Sequence, residues 1–238
     1  MQHLPIMPGI SKKTAPFLKF KSLKYLITHD EKKIFKRFFF KHPIRYSLRL
    51  LKSALKKKAY TRQGDLFLYN VSSQEEYTKL LQNPDTIFVS GYSYCHKPFK
   101  CPSGRFTPDC VNDKTNPTCA SCFIGKCADI ITPLLIPTIH YIGEKMFEIT
   151  EANPGKQVVF LITACELTLE MFGDWGNMLG AKGIGVRLDG RICNTMKAFE
   201  LSERGIKPGL TVVLDPTQEE MLKFLRIRKA TNTMDKNV

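Results

Sequence analysis

The chain has 238 residues, 43% of them apolar, enough for one large domain or for a domain of ordinary size with an extension. No run approaches the ~20 apolar residues of a membrane-spanning helix, which leaves a soluble or peripheral protein. The formal charge of +14 is unevenly placed: up to Arg62 there are 17 Lys and Arg against Asp30 and Glu31, a net of +15, whereas the remainder holds 19 basic and 20 acidic residues.

Residues 1–28 have little periodicity and carry Lys12, Lys13, Lys19, Lys21 and Lys24, which predicts a flexible basic arm. A helix is expected from Asp30, with Ile34, Phe35, Phe38 and Phe39 on one apolar face. Pro43 stops it and suits the first turn of a second helix. That helix places Ile44, Leu48, Leu51 and Leu55 on one stripe, with Arg45, Arg49, Lys52 and Lys56 largely on the other side. Three readings stand for this basic amphipathic extension, residues 1–62. By default the stripe packs on the domain behind it. Alternatively an anionic membrane surface receives it, or nucleic acid binds it by phosphate neutralisation. The aromatics are not interleaved with the basic face, which ranks the membrane above nucleic acid.

From Asp65 the pattern changes to that of an α/β domain, expected over residues 63–228. Leu66 to Val71 and Thr86 to Tyr92 read as strands, and between them Ser73-x-x-Glu76 opens a helix as a capping box. The three together predict a βαβ unit of a parallel sheet. The apolar segment Ala128 to Tyr141, interrupted by Pro133 and Pro137, predicts one or two short buried helices. Further strands are expected at Gln157–Thr163, Ile184–Leu188 and Leu210–Leu214, and helices at Glu166–Met178, from Asn194 to Arg204, and from a Thr217-x-x-Glu220 cap to about Arg228. Residues 229–238 read as a disordered tail. The fold class is thus α/β, a mainly parallel sheet flanked by helices, with a basic helical N-terminal extension and an inserted cysteine-rich loop.

That loop, residues 95–127, holds Cys95, Cys101, Cys110, Cys119, Cys122 and Cys127, six of the eight cysteines. Pro98, Pro102, Gly104, Pro108, Asn112, Asp113, Asn116 and Pro117 break regular structure within it, so a long loop must be tied down by something. Cys119-x2-Cys122-x4-Cys127 lets two thiolates close on one metal atom and a third reach it once the backbone curls. Met1 to Phe20 has no apolar h-region and no small-residue cleavage site, which predicts a cytoplasmic chain with reduced thiols and argues against disulfides. Zinc commonly takes two paired arms, and only one C-x2-C is present, although His96 beside Cys95 would allow a mixed site. Irregular spacing with spare thiols suits an iron–sulfur cluster, with 4Fe-4S favoured and zinc the alternative. Lys97, Lys100, Arg105, Lys114 and Lys126 among the cysteines would offset thiolate charge.

Cys165 and Cys193 each follow an expected strand and precede an expected helix, at the sheet edge where open α/β folds bind ligands. They either join the metal centre, act as a reactive nucleophile, or are small buried residues. Glu166, Glu170 and Asp174 recur on one helix face and read as a solvated face, His140 as a core residue. The glycines around Trp175 form no phosphate fingerprint, so no nucleotide is expected.

In order, Tyr94-Cys95, Cys101-Pro102, Cys119-x2-Cys122-x4-Cys127, Ala164-Cys165-Glu166-Leu167 and Arg191-Ile192-Cys193-Asn194-Thr195 resemble the prokaryotic family called domain of unknown function one-one-six, over about Asp65 to Pro216. The resemblance implies a cysteine-rich metal centre of unestablished activity and an N-terminal segment associated with the membrane. Here that segment is basic and amphipathic with no span, and Cys110 is additional to the family pattern. The residues and the resemblance together predict a cytoplasmic metal-binding protein, an iron–sulfur redox or electron-transfer component, peripheral to the inner face of the membrane where the basic extension binds it. Cys119, Cys122 and Cys127 lead as ligands, with Cys101 or Cys95 as the fourth and Cys165 and Cys193 completing or flanking the centre. The alternatives are a structural zinc module whose basic arm binds nucleic acid, and a metal-free thiol enzyme using Cys165 or Cys193.

Overall fold

Runs of β-branched and aromatic residues bury themselves side by side at the centre of the chain and carry helices on both faces, which makes the protein α/β. The computed structural model describes residues 10, 13, 18–55, 58–207 and 209–235. In chain order the strands are β1 (Thr61–Gln63), β2 (Leu66–Tyr69), β3 (Ile87–Ser93), β4 (Leu134–Ile136), β5 (Val158–Ala164), β6 (Lys182–Arg187), β7 (Asp189–Gly190) and β8 (Thr211–Val212). The first helices are α1 (Leu18–Thr28), α2 (Ile34–Phe39), α3 (Pro43–Leu55), α4 (Gln74–Leu81), α5 (Pro117–Ala120) and α6 (Phe123–Ala128). They are followed by α7 (Ile139–Ala152), α8 (Glu166–Leu179), α9 (Met196–Glu203) and α10 (Asp215–Asp235), and a 3-10 turn spans Tyr94–His96.

The main sheet runs in the order β1-β2-β6-β5-β3-β4. β4, β3, β5 and β6 are parallel, and β2 and β1 add antiparallel strands at one side. β5 is buried at every position, as its near-continuous apolar run predicts for a strand covered on both faces. On one face α8 packs with α1, α3 and α7; on the other α10 packs on α4 and α6. Tyrosines fasten these layers through their hydroxyls as well as their rings. Tyr69 donates to the Leu169 carbonyl at 2.8 Å and Tyr77 to the Phe160 carbonyl at 3.0 Å, so two fully buried phenols leave no unpaired oxygen.

The expected βαβ unit is overturned. Ser73 does cap α4, but β2 pairs antiparallel with β6 and is separated from β3 by two strands. β2 is buried at all four positions, so its local pattern cannot distinguish a parallel from an antiparallel neighbour. The run Ala128–Tyr141 forms the edge strand β4 and the start of α7 instead of buried helices, because the proline-bounded residues 134–136 find a free edge of β3. Leu210–Leu214 yields only β8, paired with β7 in a separate two-stranded sheet. Thr195, not Asn194, caps α9. Helix α10 begins at Asp215, with Thr217 inside its first turn, and it continues through residues 229–235 that read as a tail; residues 236–238 lie outside the described ones.

Of the expected flexible arm, residues 18–28 are helical, and residues 1–9, 11, 12 and 14–17 lie outside the described ones, as do Lys56 and Lys57. Asp30 accepts from the Ile34 amide at 2.7 Å and so opens α2. Glu144, on α7, binds Lys32 at 2.8 Å and Arg37 at 2.9 Å, which docks the basic extension on the domain.

Arg228, 5% exposed, donates to the Leu81, Asn83 and Thr86 carbonyls and the Thr86 hydroxyl, tying α10 to the turn between α4 and β3. Replacing it by alanine removes a donor from the Leu81 and Thr86 carbonyls in a dry interface, while the Asn83 carbonyl keeps the Thr86 amide and hydroxyl. Arg228→Ala is expected to cost roughly 3 kcal/mol of stability. Urea unfolding checks this; an unchanged midpoint would show that water satisfies the carbonyls.

Candidate functional site

The carboxyl ends of β3, β4 and β5 open on one small pocket of about 30 Å³, enough to hold water. Cys95 reaches it from the 3-10 turn after β3, Cys165 as the residue before α8, and Cys193 from the segment between β7 and α9. Thr138, Thr163, Thr168, Ser202 and Glu203 are among the other polar residues of its lining. This is the edge where parallel α/β sheets place their ligands, since successive strands stop there and their loops diverge.

The three thiols differ in chemistry. Lys207, itself buried, points its ammonium at Cys193 with Nζ to Sγ at 3.0 Å. A hydrogen bond from the Cys165 thiol, together with that ammonium, holds Cys193 down at about 5 against the opposing effect of burial. As a thiol, Cys193 would instead donate to the Ala198 carbonyl at 3.5 Å. The shorter contact to a full charge favours the thiolate. Cys165, sharing its proton with Cys193, is raised well above the usual thiol value, first by that bond and then by burial. Its sulfur also lies 3.1 Å from the Thr168 hydroxyl. Burial raises Cys95 as well. Glu203 accepts from the Ile139 amide at the start of α7 at 2.8 Å, yet burial pushes its carboxyl up to about 8.

A second pocket, about 20 Å³, is lined by Cys101, Cys110, Cys119 and Cys122. It lies inside the loop and is framed by α5, α6 and the Lys97 side chain. Lys97 is 2% exposed and donates to the Thr107 hydroxyl at 2.9 Å and to the Thr107 and Asp109 carbonyls at 3.3 and 3.0 Å. Its charge faces Cys101, Cys110 and Cys122. Cys95 and Lys97 therefore send side chains from one short turn to two different pockets. Gly125 lets α6 approach α5 closely, because a Cβ there would stand 2.8 Å from the Cys119 carbonyl and 3.1 Å from Asn112 Oδ1.

The expected seven-cysteine ligand set is thus divided. Cys101, Cys119 and Cys122 meet with Cys110, which the family pattern had left over. Cys95, Cys165 and Cys193 meet elsewhere. Cys127 is not among the residues lining either pocket: it is 0% exposed, bonded to the Tyr92 hydroxyl and pushed by burial up to about 12. The reason is helical geometry. The residues after Cys122 wind into α6, and five positions along a helix turn the side chain by about 140°. All eight cysteines are free thiols. Among the described residues, no group of three or more His, Cys, Asp or Glu side chains is placed to hold a metal ion.

Other expected candidates have structural duties. His96 is buried against Phe123 and pushed by burial down to about 4, so it is neutral and lines neither pocket. His140 bonds the Leu26 carbonyl at 3.1 Å. The helix face read as solvated instead anchors the N-terminal part: Glu166 pairs with Arg62, Glu170 with the Tyr60 hydroxyl, and Asp174 with Ser53. Lys207 and Glu203 are the residues that sequence reasoning missed. Nothing in the local pattern around them marks either side chain as facing a thiol.

The fold and the two pockets define an α/β protein with a divided set of thiols. Compared with protein-family models, curated proteins and solved structures, the chain matches none.

Glu203 and Cys193 make opposite contributions to pH dependence. Glu203 stays protonated in the fold to about 8 but ionises near ~4.3 when unfolded, so its stabilising share is lost as pH rises toward 8. Cys193 ionises in the fold near 5 but only near ~8.5 when unfolded, so its share is lost as pH falls through 5. Relative to wild type between pH 5 and 8, Glu203→Gln is expected to gain thermal stability with rising pH and Cys193→Ser to lose it. Parallel melting curves for all three proteins would show that neither group is perturbed.

Proposed function

We propose that the chain is a metal-binding protein whose loop pocket, formed by Cys101, Cys110, Cys119 and Cys122, holds an iron–sulfur cluster in a redox or electron-transfer role. The observation that carries this reading is the meeting of four free thiols, drawn from separate points of one loop, around a single pocket. Four thiolates are the ligand set of such clusters, and the buried Lys97 ammonium supplies a compensating charge beside them. The thiols would have to close further around a metal than they stand in the structure. Bound there, the cluster would supply one-electron chemistry, its potential tuned by charge and by hydrogen bonds to sulfur. The cysteine order that resembles domain of unknown function one-one-six points to the same class of centre, although that pattern includes Cys127 and leaves out Cys110, which stands in the loop pocket instead.

The test is anaerobic purification with assay of iron, zinc and acid-labile sulfide per chain. Brown protein with stoichiometric iron and sulfide is expected, with metal lost in Cys110→Ser and Cys122→Ser and retained in Cys127→Ser. Colourless protein with stoichiometric zinc would replace the cluster by a structural zinc site. Metal retained in Cys110→Ser but lost in Cys127→Ser would restore the C-x2-C-x4-C ligand set and overturn this one.

We further infer that α3 rests on an anionic membrane surface. Ile44, Leu48, Leu51 and Leu55 are 77%, 56%, 57% and 78% exposed, which overturns the default expectation that the stripe packs on the domain. The opposite side of α3 faces the domain through polar bonds: Arg49 to the Leu179 carbonyl at 2.7 Å, Ser53 to Asp174 at 2.7 Å and Tyr46 to Glu151 at 3.3 Å. Exposed Arg45 and Lys52 flank the stripe, and α3 contains no acidic residue. A second copy of so basic a face would repel the first, whereas anionic headgroups complement it. Among the described residues no helix is long and apolar enough to cross a membrane, so attachment would be at the surface.

Sedimentation with vesicles checks the inference. The full chain is expected to bind phosphatidylglycerol-containing vesicles but not pure phosphatidylcholine, and Leu48→Glu with Leu51→Glu should weaken binding about tenfold or more without changing the melting temperature. Binding to duplex DNA that survives both substitutions, with no vesicle binding, would assign the basic extension to nucleic acid instead.

A further inference from the structure

The pocket at the carboxyl edge of the sheet has a chemistry of its own, independent of the metal reading because none of the four loop cysteines lines it. Three features define what it can accept. Its nucleophile is Cys193, whose sulfur has the Lys207 ammonium at 3.0 Å and the Cys165 thiol as hydrogen-bond donor. A fixed ammonium against the sulfur opposes a metal cation there and favours an added anion. The free space of about 30 Å³ is small, with room beside the sulfurs for a transferred atom and little more. A soft thiolate beside a fixed cation, with room for a small anionic product, suits sulfur in the oxidation state of a persulfide.

We propose that Cys193 is a sulfane-sulfur acceptor, carrying a persulfide taken from a small persulfide or polysulfide donor, and that Cys165 is the thiol that discharges it. In the first step the Cys193 thiolate attacks the donor's terminal sulfur. The donor's S–S bond breaks, its electron pair leaves with the donor thiolate, and a new bond joins Cys193 Sγ to the transferred atom, with no net oxidation. The Lys207 ammonium, 3.0 Å from the sulfur that carries it, would offset the charge of the persulfide anion. In the second step Cys165 attacks Cys193 Sγ and its proton passes to the departing sulfur. The persulfide bond breaks, hydrosulfide leaves, and a Cys165–Cys193 disulfide forms, so two protein thiols are oxidised as the sulfane sulfur is reduced to sulfide.

The surroundings suit both steps. Cys165 precedes the first turn of the fourteen-residue helix α8, and Thr168 holds its sulfur at 3.1 Å. The titratable and charged groups facing Cys193 are Cys165 just before α8, Cys95 and Tyr94 on the 3-10 turn, Glu203 at the end of α9, and Lys207. Glu203, kept mostly protonated by burial below about 8, adds little competing negative charge near neutral pH.

The experiment uses the full chain incubated with inorganic polysulfide, desalted, and divided between cyanide treatment, which collects sulfane sulfur as thiocyanate, and peptide mapping by mass spectrometry. Cys165→Ser is expected to retain one added sulfur on the Cys193 peptide. Wild type is expected to release sulfide and to gain the Cys165–Cys193 disulfide, and Cys193→Ser to hold none. Lys207→Met should load about tenfold or more slowly at pH 6 and approach the wild-type rate at pH 9, a pH signature that a merely structural lysine would not produce. As much added sulfur on Cys193→Ser as on Cys165→Ser, or sulfur carried only by Cys95 or the loop cysteines, would overturn the proposal. Loss of bound metal in Cys193→Ser would also overturn it, by making Cys193 a ligand. Loss confined to the loop-cysteine variants leaves the metal centre and the sulfur site separate.

Discussion

The guanidinium of Arg105 holds the cysteine loop to the α/β domain. It donates to the carbonyls of Cys95 and Lys97 at 3.2 Å each, of Lys207 at 2.6 Å and of Gly209 at 2.5 Å, and it stacks on Phe99. A planar fork with five donors can satisfy several acceptors at once where a lysine could not. Two of its acceptors belong to the turn after β3 and two to the segment before β8, so one side chain fixes the distance between them. Cys95, Lys97 and Lys207 take their positions from that distance. Both thiol pockets therefore depend on a residue that touches neither sulfur group as a ligand would.

Charge is distributed between the pockets by the same economy of buried cations. An ammonium removed from water is costly unless acceptors replace the lost hydration. Lys97 meets that need with two carbonyls and a hydroxyl, and burial still lowers it while the nearby cysteines pull it back. Lys207 meets it at the Cys193 sulfur. Each set of thiols thus has one buried cation against it, and the two sets differ in number. Four surround Lys97's pocket, a number suited to a cluster, and three share the other, where one is singled out by its direct ammonium contact.

Much of the scaffold was legible because it is written in local patterns. β5 reads as a doubly buried strand from its unbroken apolar run, Ser73 and Glu76 announce α4, and Pro43 opens α3 where its missing amide does no harm. Failures fell where a local pattern is compatible with two partners. β2 has the composition of a strand in either direction, and only the antiparallel edge of β6 decided it. The stripe of α3 was legible as a stripe, but polar side chains on its other face, Arg49 and Ser53, found acceptors on α8 and turned it outward.

For the site, the residues themselves determine that this chain is rich in cysteines, that six cluster in one irregular insertion, and that Cys165 and Cys193 stand at strand ends. How those sulfurs divide was decided by tertiary structure alone. Spacing counts residues along the backbone, whereas grouping depends on direction, and winding of residues 123–128 into a helix was enough to send Cys127 to Tyr92 and the core. Likewise Lys207, fourteen residues from Cys193, meets it only because α9 and the Arg105 contacts fold that segment back. Local sequence carries the periodicity that makes helices and strands, but the direction in which a polar side chain points is set by whichever distant partner relieves its desolvation.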